Sequence, residues 1–409
     1  MKKFLAIMLA AVMLFAFAAC GGGTKTETDA KTENDAQASD LKVGFIFLHD
    51  EQSTYDKNFI DAAKAACEEL GVAYAQKTQI PESKDCYDAA VELVEVDGCD
   101  IIFADSFGHE SFLIDAAKKY PDVQFCHATG TQAHTAGLAN FHNAFASIYE
   151  GRYLAGVAAG MKLNEMIENG DIKEDEAKMG YVGAFTFAEV ISGYTSFYLG
   201  AKSVCPSVTM DVKFTGSWYN EQLEKEAAQA LIAEKCVLIS QHADSMGAPT
   251  ACETAGVPNV SYNGSTASAC PNTFIVSSRI DWTPYFKYMI ECVQNGEEIA
   301  TDWTGTIETG SVVLTDINET AAAAGTVEKI EEVKAQLLDG TIKVFDTANW
   351  TVKGEKLTTY MADVDTDADF AKDTEAIEDG VFYESKHRSA PYFDVEIDGI
   401  TLLDRNYGE

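Results

Sequence analysis

Short apolar runs alternate with amphipathic helical segments along most of this chain, in two successive series. The first series opens with the run Leu41–Leu48 and the segment Lys57–Leu70, and the second opens with the run Lys178–Gly183. Such alternation is typical of parallel strands joined by helices that cover both faces of a sheet. A chain of 409 residues also exceeds what one small core accommodates. We therefore predict an α/β fold with two similar lobes that meet at a cleft.

The segment His127–Met161 separates the two series. It follows an apolar run, crosses turn-rich sequence and enters a helix whose packing face consists almost entirely of small residues. Glycine inside a helix costs about 1 kcal/mol relative to alanine, so Gly156 and Gly160 indicate a close approach of another backbone. We interpret the segment as the hinge between the lobes. The alternative is a helix packed on a sheet inside one large domain.

The predicted organisation assigns a role to each part of the chain. Residues 1–20 form a lipoprotein signal peptide and residues 21–40 a disordered tether. Lobe one consists of residues 41–148 and is completed by about 279–305 and part of the C-terminal tail. Lobe two consists of residues 149–278 and is completed by about 306–350, and residues 351–409 form a C-terminal extension. In the last hundred residues we predict a strand-like segment at Thr304–Leu314, a helix at Ala324–Leu338, a lobe-two strand at Ile342–Phe345 and a hairpin about Asp398-Gly399.

The N-terminus has the features of an export signal. A basic start at Met1–Lys3 precedes the apolar run Phe4–Ala19, which is too short for a stable membrane span. Small residues directly before Cys20 resemble a bacterial lipobox, in which this cysteine carries the lipid. We therefore expect a protein anchored by lipid to the extracytoplasmic face of the cell membrane. The alternative is a plain secretory signal cleaved after an alanine.

The charge and the cysteines restrict the partners. The formal net charge of −35 disfavours nucleic acid and anionic membrane surfaces, and favours a small neutral or cationic ligand. The nine cysteines after Cys20 show no metal-finger spacing and no C-x-x-C motif. We predict that they are buried free thiols, although a bridge between Cys252 and Cys270 remains open.

Aromatic residues stand next to hydrogen-bonding residues at the predicted carboxyl ends of successive strands. Right-handed crossovers bring these ends to one rim of each sheet, where ligands bind in open α/β folds. Flat aromatic faces with a few directional polar groups suit a planar heteroaromatic ring or a sugar. Candidate contacts at these positions include Tyr55, Asp56, Ser106, Phe107, Phe185, Glu189, Trp218, His242, Asp244, Asn263, Asp281 and Trp282.

Six segments resemble basic membrane protein (BMP) lipoproteins, which are substrate-binding proteins of ABC transporters related to the purine nucleoside receptors. These segments are YPDVQFCHATG, IYEGRYLAGVAAG, KMGYVGAFTFAEVISG, GSWYNEQLEKEAAQALI, ISQHADS and RIDWTPYF. The resemblance runs from about Lys42 to Gly310. It implies a type I periplasmic-binding fold with a hinge, a purine nucleoside or nucleobase as ligand, and an ABC permease and ATPase as partners.

The resemblance also implies roles for particular residues. Matching positions imply lobe-one contacts from Tyr55 and Phe107, lobe-two contacts from Phe185, Glu189, Trp218, His242 and Asp244, and a cleft-floor position for Asp281 and Trp282. Where the family usually has an aspartate in a G-Y-D-S-D-like run, this chain has Asn263. Asparagine donates as well as accepts hydrogen bonds, so the ligand edge that is recognised can differ.

Plainer roles remain open for several of these residues. Tyr55 and Phe185 could belong to the lobe cores, His242 could be a satisfied buried histidine, and Asp244 could cap a helix. No nucleophile elbow, phosphate loop, dinucleotide fingerprint or metalloprotease motif occurs, so we predict no catalysis, no cofactor and no metal. The remaining alternatives are a ligand sensor or adhesin on the same fold, or binding of a different small heterocycle or sugar.

Overall fold

The computed structural model describes residues 41–365 and 371–405. The predicted signal peptide, the tether and Cys20 lie outside these residues. The strands are β1 (Lys42–Ile46), β2 (Ala73–Lys77), β3 (Ile101–Ala104), β4 (Gln124–Ala128), β5 (Phe141–Ala146), β6 (Lys178–Gly183), β7 (Thr209–Phe214), β8 (Leu238–Gln241), β9 (Asn259–Tyr262), β10 (Phe274–Ile280), β11 (Asp302–Gly305), β12 (Val312–Leu314), β13 (Met361–Ala362), β14 (Thr374–Glu375), β15 (Ile377–Glu378), β16 (Val381–Phe382) and β17 (Ile400–Asp404). The α-helices are α1 (Thr54–Leu70), α2 (Lys84–Glu95), α3 (Glu110–Lys119), α4 (Ala133–Ala136), α5 (Ile148–Glu168), α6 (Ala188–Val204), α7 (Glu221–Ala233), α8 (Gly247–Ala255), α9 (Thr283–Asn295) and α10 (Thr326–Leu338).

Each lobe is organised around its own sheet. The six-stranded sheet of lobe one has the order β11-β5-β4-β3-β1-β2, and all its neighbours are parallel. The seven-stranded sheet of lobe two has the order β12-β10-β9-β8-β6-β7-β17, in which only β12 is antiparallel to its neighbour. The prediction of two parallel-sheet lobes is confirmed. The residue boundaries that we predicted for the domains stay predictions.

The chain crosses between the two sheets three times. It passes from β5 to α5 near Ser147, from β10 to α9 near Asp281, and from β11 back to β12 between residues 306 and 311. The segment predicted as strand-like at Thr304–Leu314 is therefore divided between β11 and β12, which belong to different sheets. Three crossings allow the lobes to meet along one cleft without a separate linker domain.

Helices α5 and α6 approach each other unusually closely. A Cβ atom at Gly156 would lie 2.0 Å from the carbonyl oxygen of Phe197, and one at Gly200 would lie 2.0 Å from that of Tyr153. The close backbone approach predicted from the small residues of α5 is confirmed. The same predicted hinge also contains β5, a fully buried strand of lobe one that the sequence analysis missed.

Apolar side chains fill the lobe interiors, and the cysteines contribute to them. Cysteines 67, 86, 99, 126, 205, 236, 252, 270 and 292 are all buried free thiols. This confirms their predicted role as small hydrophobes, and Cys252 and Cys270 form no bridge. Among the described residues, no helix combines the length and the apolar character that a membrane span requires.

The C-terminal extension differs from its prediction in two places. Residues 342–345 do not form a strand: a turn begins at Val344, and Phe345 stacks on Phe393 at a ring distance of 4.3 Å. The hairpin predicted about Asp398-Gly399 is wrong, because β17 pairs in parallel with β7 of lobe two. The Asp398 carboxylate instead accepts hydrogen bonds from the backbone N–H groups of Lys353 and Gly354. An antiparallel hairpin does occur earlier in the extension, where β15 and β16 flank another Asp-Gly pair.

Candidate ligand-binding site

A cavity lies between the lobes at the carboxyl ends of strands from both sheets. About 380 Å³ of space at this position is free of protein atoms, and part of it is open to solvent. We call it the inner cavity. Its lining residues are Leu48, His49, Tyr55, Ser106, Phe107 and Thr129 from lobe one, and Glu189, Trp218, His242, Asp244 and Tyr262 from lobe two.

The two lobes contact each other beside the inner cavity. Thr54, at the start of α1, donates from its backbone N–H to the carbonyl oxygen of Asp244 at 3.2 Å. Its hydroxyl donates to the same oxygen at 3.1 Å. The rings of Phe107 and Phe187 meet across the cleft with centroids 5.2 Å apart. A molecule inside the cavity is therefore accessible to groups from both lobes at once.

Aromatic rings form one wall of the inner cavity on the lobe-two side. Trp218, in the loop between β7 and α7, packs edge-on against Phe185 with centroids 4.8 Å apart. Phe185 in turn stacks on Phe187 at 5.3 Å. Trp218 is thus held from behind, and its ring faces the cavity. Such a flat apolar wall suits the face of a planar ring.

A chain of polar groups extends from the inner cavity into the interior of lobe two. The Nε2 atom of His242 lies 3.4 Å from Oε1 of Glu189, and both side chains line the cavity. On the other side of the imidazole, Nη2 of Arg152 donates to Nδ1 at 3.1 Å. Arg152 is 1% exposed, and its guanidinium lies 3.6 Å above the ring of Tyr262. Burial lowers the pKa of His242, which keeps the imidazole neutral.

Buried carboxyl groups surround the lobe-one side of the cavity. Asp56 accepts hydrogen bonds from the backbone N–H of His49 at 2.7 Å and from the hydroxyl of Ser53 at 2.6 Å. Asp105 accepts from the backbone N–H of Leu48 at 3.1 Å. Burial and the neighbouring Asp56 raise the pKa of Asp105, whereas the hydrogen bonds to Asp56 lower the pKa of that carboxyl. Asp105 is therefore the member of this pair that takes up a proton more readily.

Asp244 is held in a comparable way by lobe two. Its Oδ1 accepts a hydrogen bond from Nδ2 of Asn263 at 3.1 Å. Burial is the main cause that raises the pKa of Asp244. The Asn263 amide is thus occupied by Asp244, and its oxygen lies 3.4 Å from Nδ2 of Asn58 in lobe one.

The structure brings together most of the residues predicted for the site. Tyr55, Ser106, Phe107, Glu189, Trp218, His242 and Asp244 line the inner cavity. Three other predicted residues stand one layer behind this lining: Phe185 supports Trp218, Asp56 holds His49, and Asn263 holds Asp244. The idea that Asn263 itself contacts the ligand is therefore not supported by its position.

Two predicted residues lie away from the cavity. Trp282 is 1% exposed and stacks on Phe59 at 4.4 Å in the core of lobe one, because the start of α9 folds back over α1. Asp281 accepts a hydrogen bond from the backbone N–H of Thr283 and pairs with Arg279 at 3.5 Å. The placement of Asp281 and Trp282 at the cleft floor is corrected accordingly.

Four lining residues were not among the predicted contacts. Tyr262 ends β9, and His49 follows the end of β1 by three residues, so the strand-end pattern that selected the others also pointed to them. Leu48 carries no polar or aromatic signal. Thr129 has a positive φ of 65° directly after β4, a backbone feature that the sequence does not reveal.

A second cavity adjoins the inner one on its outer side. It encloses about 970 Å³ of unfilled space, and we call it the outer chamber. The two cavities share Phe107, Thr129, Glu189 and Trp218 in their linings. The C-terminal extension supplies the far wall of the outer chamber with Asp363, Lys372, Arg388, Ala390, Pro391, Tyr392 and Asp394.

The site contains groups for binding a small molecule, and no candidate metal centre accompanies them. Within residues 41–365 and 371–405, no cluster of histidine, cysteine, aspartate and glutamate could hold a metal ion. None of the described residues that line the inner cavity is a lysine or an arginine. The polar groups at the cavity are thus carboxyl, hydroxyl and imidazole groups.

Two parallel-sheet lobes with a cavity at the ends of their strands define a solute-binding protein of the type I periplasmic-binding fold. A solute-binding protein of an ABC transporter system from Aeropyrum pernix K1 matches with a TM-score of 0.63 at 17% identity, over 74% of this chain and 92% of that chain. One from Conexibacter woesei matches with a TM-score of 0.60, also at 17% identity, over 74% of this chain and 97% of that chain.

The sequence profile of one family, described as "ABC transporter substrate-binding protein PnrA-like", matches residues 46–347. The chain belongs to this Bmp family of extracytoplasmic substrate-binding proteins, as its resemblance to BMP lipoproteins implied. Members of such families bind solutes and are not enzymes.

Two relatives differ in the ligand that their names give. A purine-binding protein of Brucella abortus (strain 2308) is 31% identical over 327 residues, which cover 77% of this chain and 88% of that protein. A Haloferax volcanii protein, provisionally named an ABC transporter glucose-binding protein, is 35% identical over 215 residues. That alignment covers 53% of this chain, and the chain spans about half (51%) of the Haloferax protein.

Proposed function

We propose that this protein captures a purine nucleoside or nucleobase in the inner cavity and delivers it to an ABC permease and its ATPase. The observation that carries the proposal is the pairing of aromatic rings from both lobes with carboxyl and imidazole groups at one small cavity. Phe107 and Trp218 offer flat faces, and Glu189 offers hydrogen-bond acceptors to a ring edge. The purine-binding relative from Brucella abortus supports this choice.

The charge of the site favours a nucleoside or base over a nucleotide. A phosphate group requires positive partners or converging backbone N–H groups. Among the described residues, the lining of the inner cavity contains no lysine or arginine, and it includes the carboxyl group of Glu189. We therefore expect adenosine, inosine, guanosine or their bases to bind, and the corresponding monophosphates to be rejected.

The mechanism consists of closure without chemistry. Each lobe contributes part of the lining, so the ligand makes its full set of contacts only when the lobes are together. A ligand shifts the balance between open and closed forms by its differential affinity for the two. The closed form then presents the occupied lobes to the permease.

A thermal-shift screen followed by calorimetric titration tests the ligand class. The panel contains nucleosides, nucleobases, nucleoside monophosphates, pentoses, glucose and amino acids. Ligand at about one hundred times Kd should stabilise the fold by roughly 2.7 kcal/mol, which is a clear rise in melting temperature. A shift with nucleosides but not with ribose or the monophosphates supports the proposal. A shift with another class, and none with purines, contradicts it.

Sugar binding is the second candidate, because a Haloferax volcanii relative carries a glucose-binding name. Aromatic faces beside carboxyl groups also suit a ring with hydroxyls. Glucose in the same panel distinguishes the two ligands directly. A sensor or adhesin role would leave ligand binding intact, and loss of purine uptake after deletion of the protein separates transport from that role.

We further propose that a lipid on Cys20 anchors the protein to the extracytoplasmic face of the membrane. The support is the basic start, the apolar run and the small residues that precede this cysteine. Cys20→Ala should release the protein from the membrane fraction of cells, whereas Cys67→Ala, which removes a buried thiol, should not. Retention of the Cys20→Ala protein in the membrane fraction would contradict the anchor.

A further inference from the structure

The interior of lobe two buries a positively charged residue directly behind the site. Arg152 lies near the start of α5, just after the chain enters lobe two, and is 1% exposed. Its Nη2, which carries two N–H groups, lies 3.1 Å from both the carbonyl oxygen of Gln241 and Nδ1 of His242, and it also contacts the hydroxyl of Tyr181, so these three acceptors share two donors. Among the described residues, its Nε and Nη1 have no hydrogen-bond partner. Burial of a guanidinium in this way is costly, so the arrangement requires an explanation beyond packing.

The chain leaves space for this contact. A Cβ atom added at Gly193 of α6 would lie 3.1 Å from Nδ1 of His242 and 3.4 Å from Nε of Arg152. Glycine at this position lets α6 pass close to both side chains. The guanidinium also lies flat over the Tyr262 ring, which limits its orientation.

The contact fixes the proton of the imidazole. A guanidinium has five N–H donors and no acceptor, so Nδ1 of His242 can only accept from Arg152. An imidazole with an accepting Nδ1 is neutral and carries its proton on Nε2. Oε1 of Glu189 lies 3.4 Å from this Nε2 and is within reach of its N–H. With one oxygen engaged by His242, the remaining lone pairs of Glu189 are available as acceptors in the inner cavity.

We propose that Arg152 is a positioning residue for ligand recognition, which fixes His242 as an Nε2–H donor so that Glu189 presents a hydrogen-bond acceptor to the ligand. The ligand class that fits is a neutral heterocycle with an N–H group on the edge that faces Glu189. This inference rests on the proposed function for the identity of the ligand, but the state of His242 can be tested without any ligand.

The first experiment measures the tautomer of His242 by ¹⁵N NMR in the full chain labelled on histidine. The resonances are assigned by their loss in His242→Gln. In the unmodified protein at pH 7, Nε2 should be protonated and Nδ1 should not. In Arg152→Met, the Nδ1–H tautomer or a mixture should replace this state, and Arg152→Lys, which can still donate, should restore it. A protonated Nδ1 in the unmodified protein, or the same tautomer in Arg152→Met, would overturn the proposal.

The second experiment measures affinity for inosine and adenosine by calorimetry. Arg152→Met should weaken binding of whichever nucleoside binds by about tenfold or more, because the acceptor is misplaced. Tyr181→Phe is the matched control, since it removes another partner of Arg152 but keeps the contact with His242. Equal affinity for Arg152→Met and the unmodified protein would overturn the role in recognition.

The two experiments distinguish a failure of the proposed purine ligand from a failure of the proposed role of Arg152. If neither nucleoside binds the unmodified protein while the NMR result is as expected, the proposed purine ligand fails and the role of Arg152 in fixing His242 stands.

If Arg152→Met does not fold, Arg152→Lys and Gly193→Ala replace it. The added methyl group of Gly193→Ala should displace the His242 ring without removing the charge, and should weaken binding by severalfold. An undisturbed His242 signal and unchanged affinity in Gly193→Ala would then count against the proposal.

Discussion

Two tryptophans that follow strand ends lie in regions of opposite character. Trp218, after β7, faces the inner cavity, and the side chains near it include Glu189 and His242. Trp282, after β10, is buried among aromatic rings of lobe one, including Phe59 and Phe103. We call these the Trp218 region and the Trp282 region. The first combines rings with hydrogen-bonding groups, and the second consists almost wholly of rings.

The difference shows what a strand end determines and what it does not. Both residues stand where a strand of lobe two has finished, so both met the same sequence criterion. The helix that follows decides the outcome: α9 begins at Thr283 and lies against α1 of lobe one, which carries Trp282 into that core. Trp218 instead lies within the longer loop 215–220 between β7 and α7, which leaves its ring at the cleft. A tryptophan that follows a strand end therefore stabilises the core in one case (Trp282) and lines the cavity in the other (Trp218).

Replacement in the core should have the largest effect. Trp282→Ala should lower the free energy of unfolding by about 3–5 kcal/mol, because it leaves a large cavity under Phe59. Urea unfolding measures this change. Ligand affinity of the folded protein should be unchanged, and a large loss of affinity would return Trp282 to the site. Trp282→Phe serves as the conservative control, since it keeps part of the aromatic packing.

The interior behind the Trp218 region buries an acid, which predicts a pH effect. Burial raises the pKa of Glu384 to about 8, although the hydroxyl of Ser192 donates a hydrogen bond to it. An unfolded glutamate titrates near about 4.3. Between these two pKa values the folded protein holds a proton on Glu384 that the unfolded chain lacks. The contribution of the protonated side chain to the free energy of unfolding is therefore fully present below the lower pKa, and it is lost as pH rises through the higher one.

Glu384→Gln should remove this loss of stability at high pH. The variant should be more stable than the unmodified protein above pH 8, by on the order of a few kcal/mol, and its urea midpoint should vary less between pH 5 and 9. Glu378→Gln is the control, because that glutamate belongs to the same extension but is 45% exposed. Parallel pH profiles for Glu384→Gln and the unmodified protein would show that the acid is not titrating as expected.

Replacement at the cleft should affect binding more than folding. Trp218→Ala should weaken ligand binding by roughly 2 kcal/mol or more, as for a buried aromatic anchor. Its effect on unfolding should be smaller than that of Trp282→Ala, since the Trp218 ring is only partly buried. Calorimetric titration with the ligand identified by the screen gives the first quantity, and urea unfolding gives the second. Unchanged affinity would remove Trp218 from the site.

Much of the fold was predictable because its signals are local. Alternating apolar runs and amphipathic helices depend on periodicity, and β6 begins and ends at Lys178 and Gly183, where the pattern placed that apolar run. The small residues of α5 also reported a contact with α6 correctly. The errors concern partners that are distant in the chain. The turn chemistry of Asp398-Gly399 is right for a hairpin, but the strand that follows pairs with β7 instead.

The candidate site was predictable to the level of strand ends and not to the direction of each side chain. The criterion found Tyr55, Glu189 and Trp218, which line the cavity. It could not reveal that the amide of Asn263 is occupied by Asp244, because that contact joins two separate loops. Arg152 also carried no signal as a site residue, since it lies inside an apolar helix and reaches the cavity only through His242.

The smallest effect is expected at the residue next to Trp282 in sequence. Asp281 directly precedes Trp282, and its carboxylate accepts the Thr283 backbone N–H at 3.0 Å near the start of α9. Asp281→Ala should cost about 1 kcal/mol of stability, as for loss of a helix N-terminal acceptor, and should leave affinity unchanged. Asp281→Asn keeps an acceptor and should behave like the unmodified protein in urea. If Asp281→Ala instead weakened ligand binding and left stability unchanged, the residue directly after β10 would belong to the cleft. Only Trp282, and not the whole segment after β10, would then differ from Trp218 in its role.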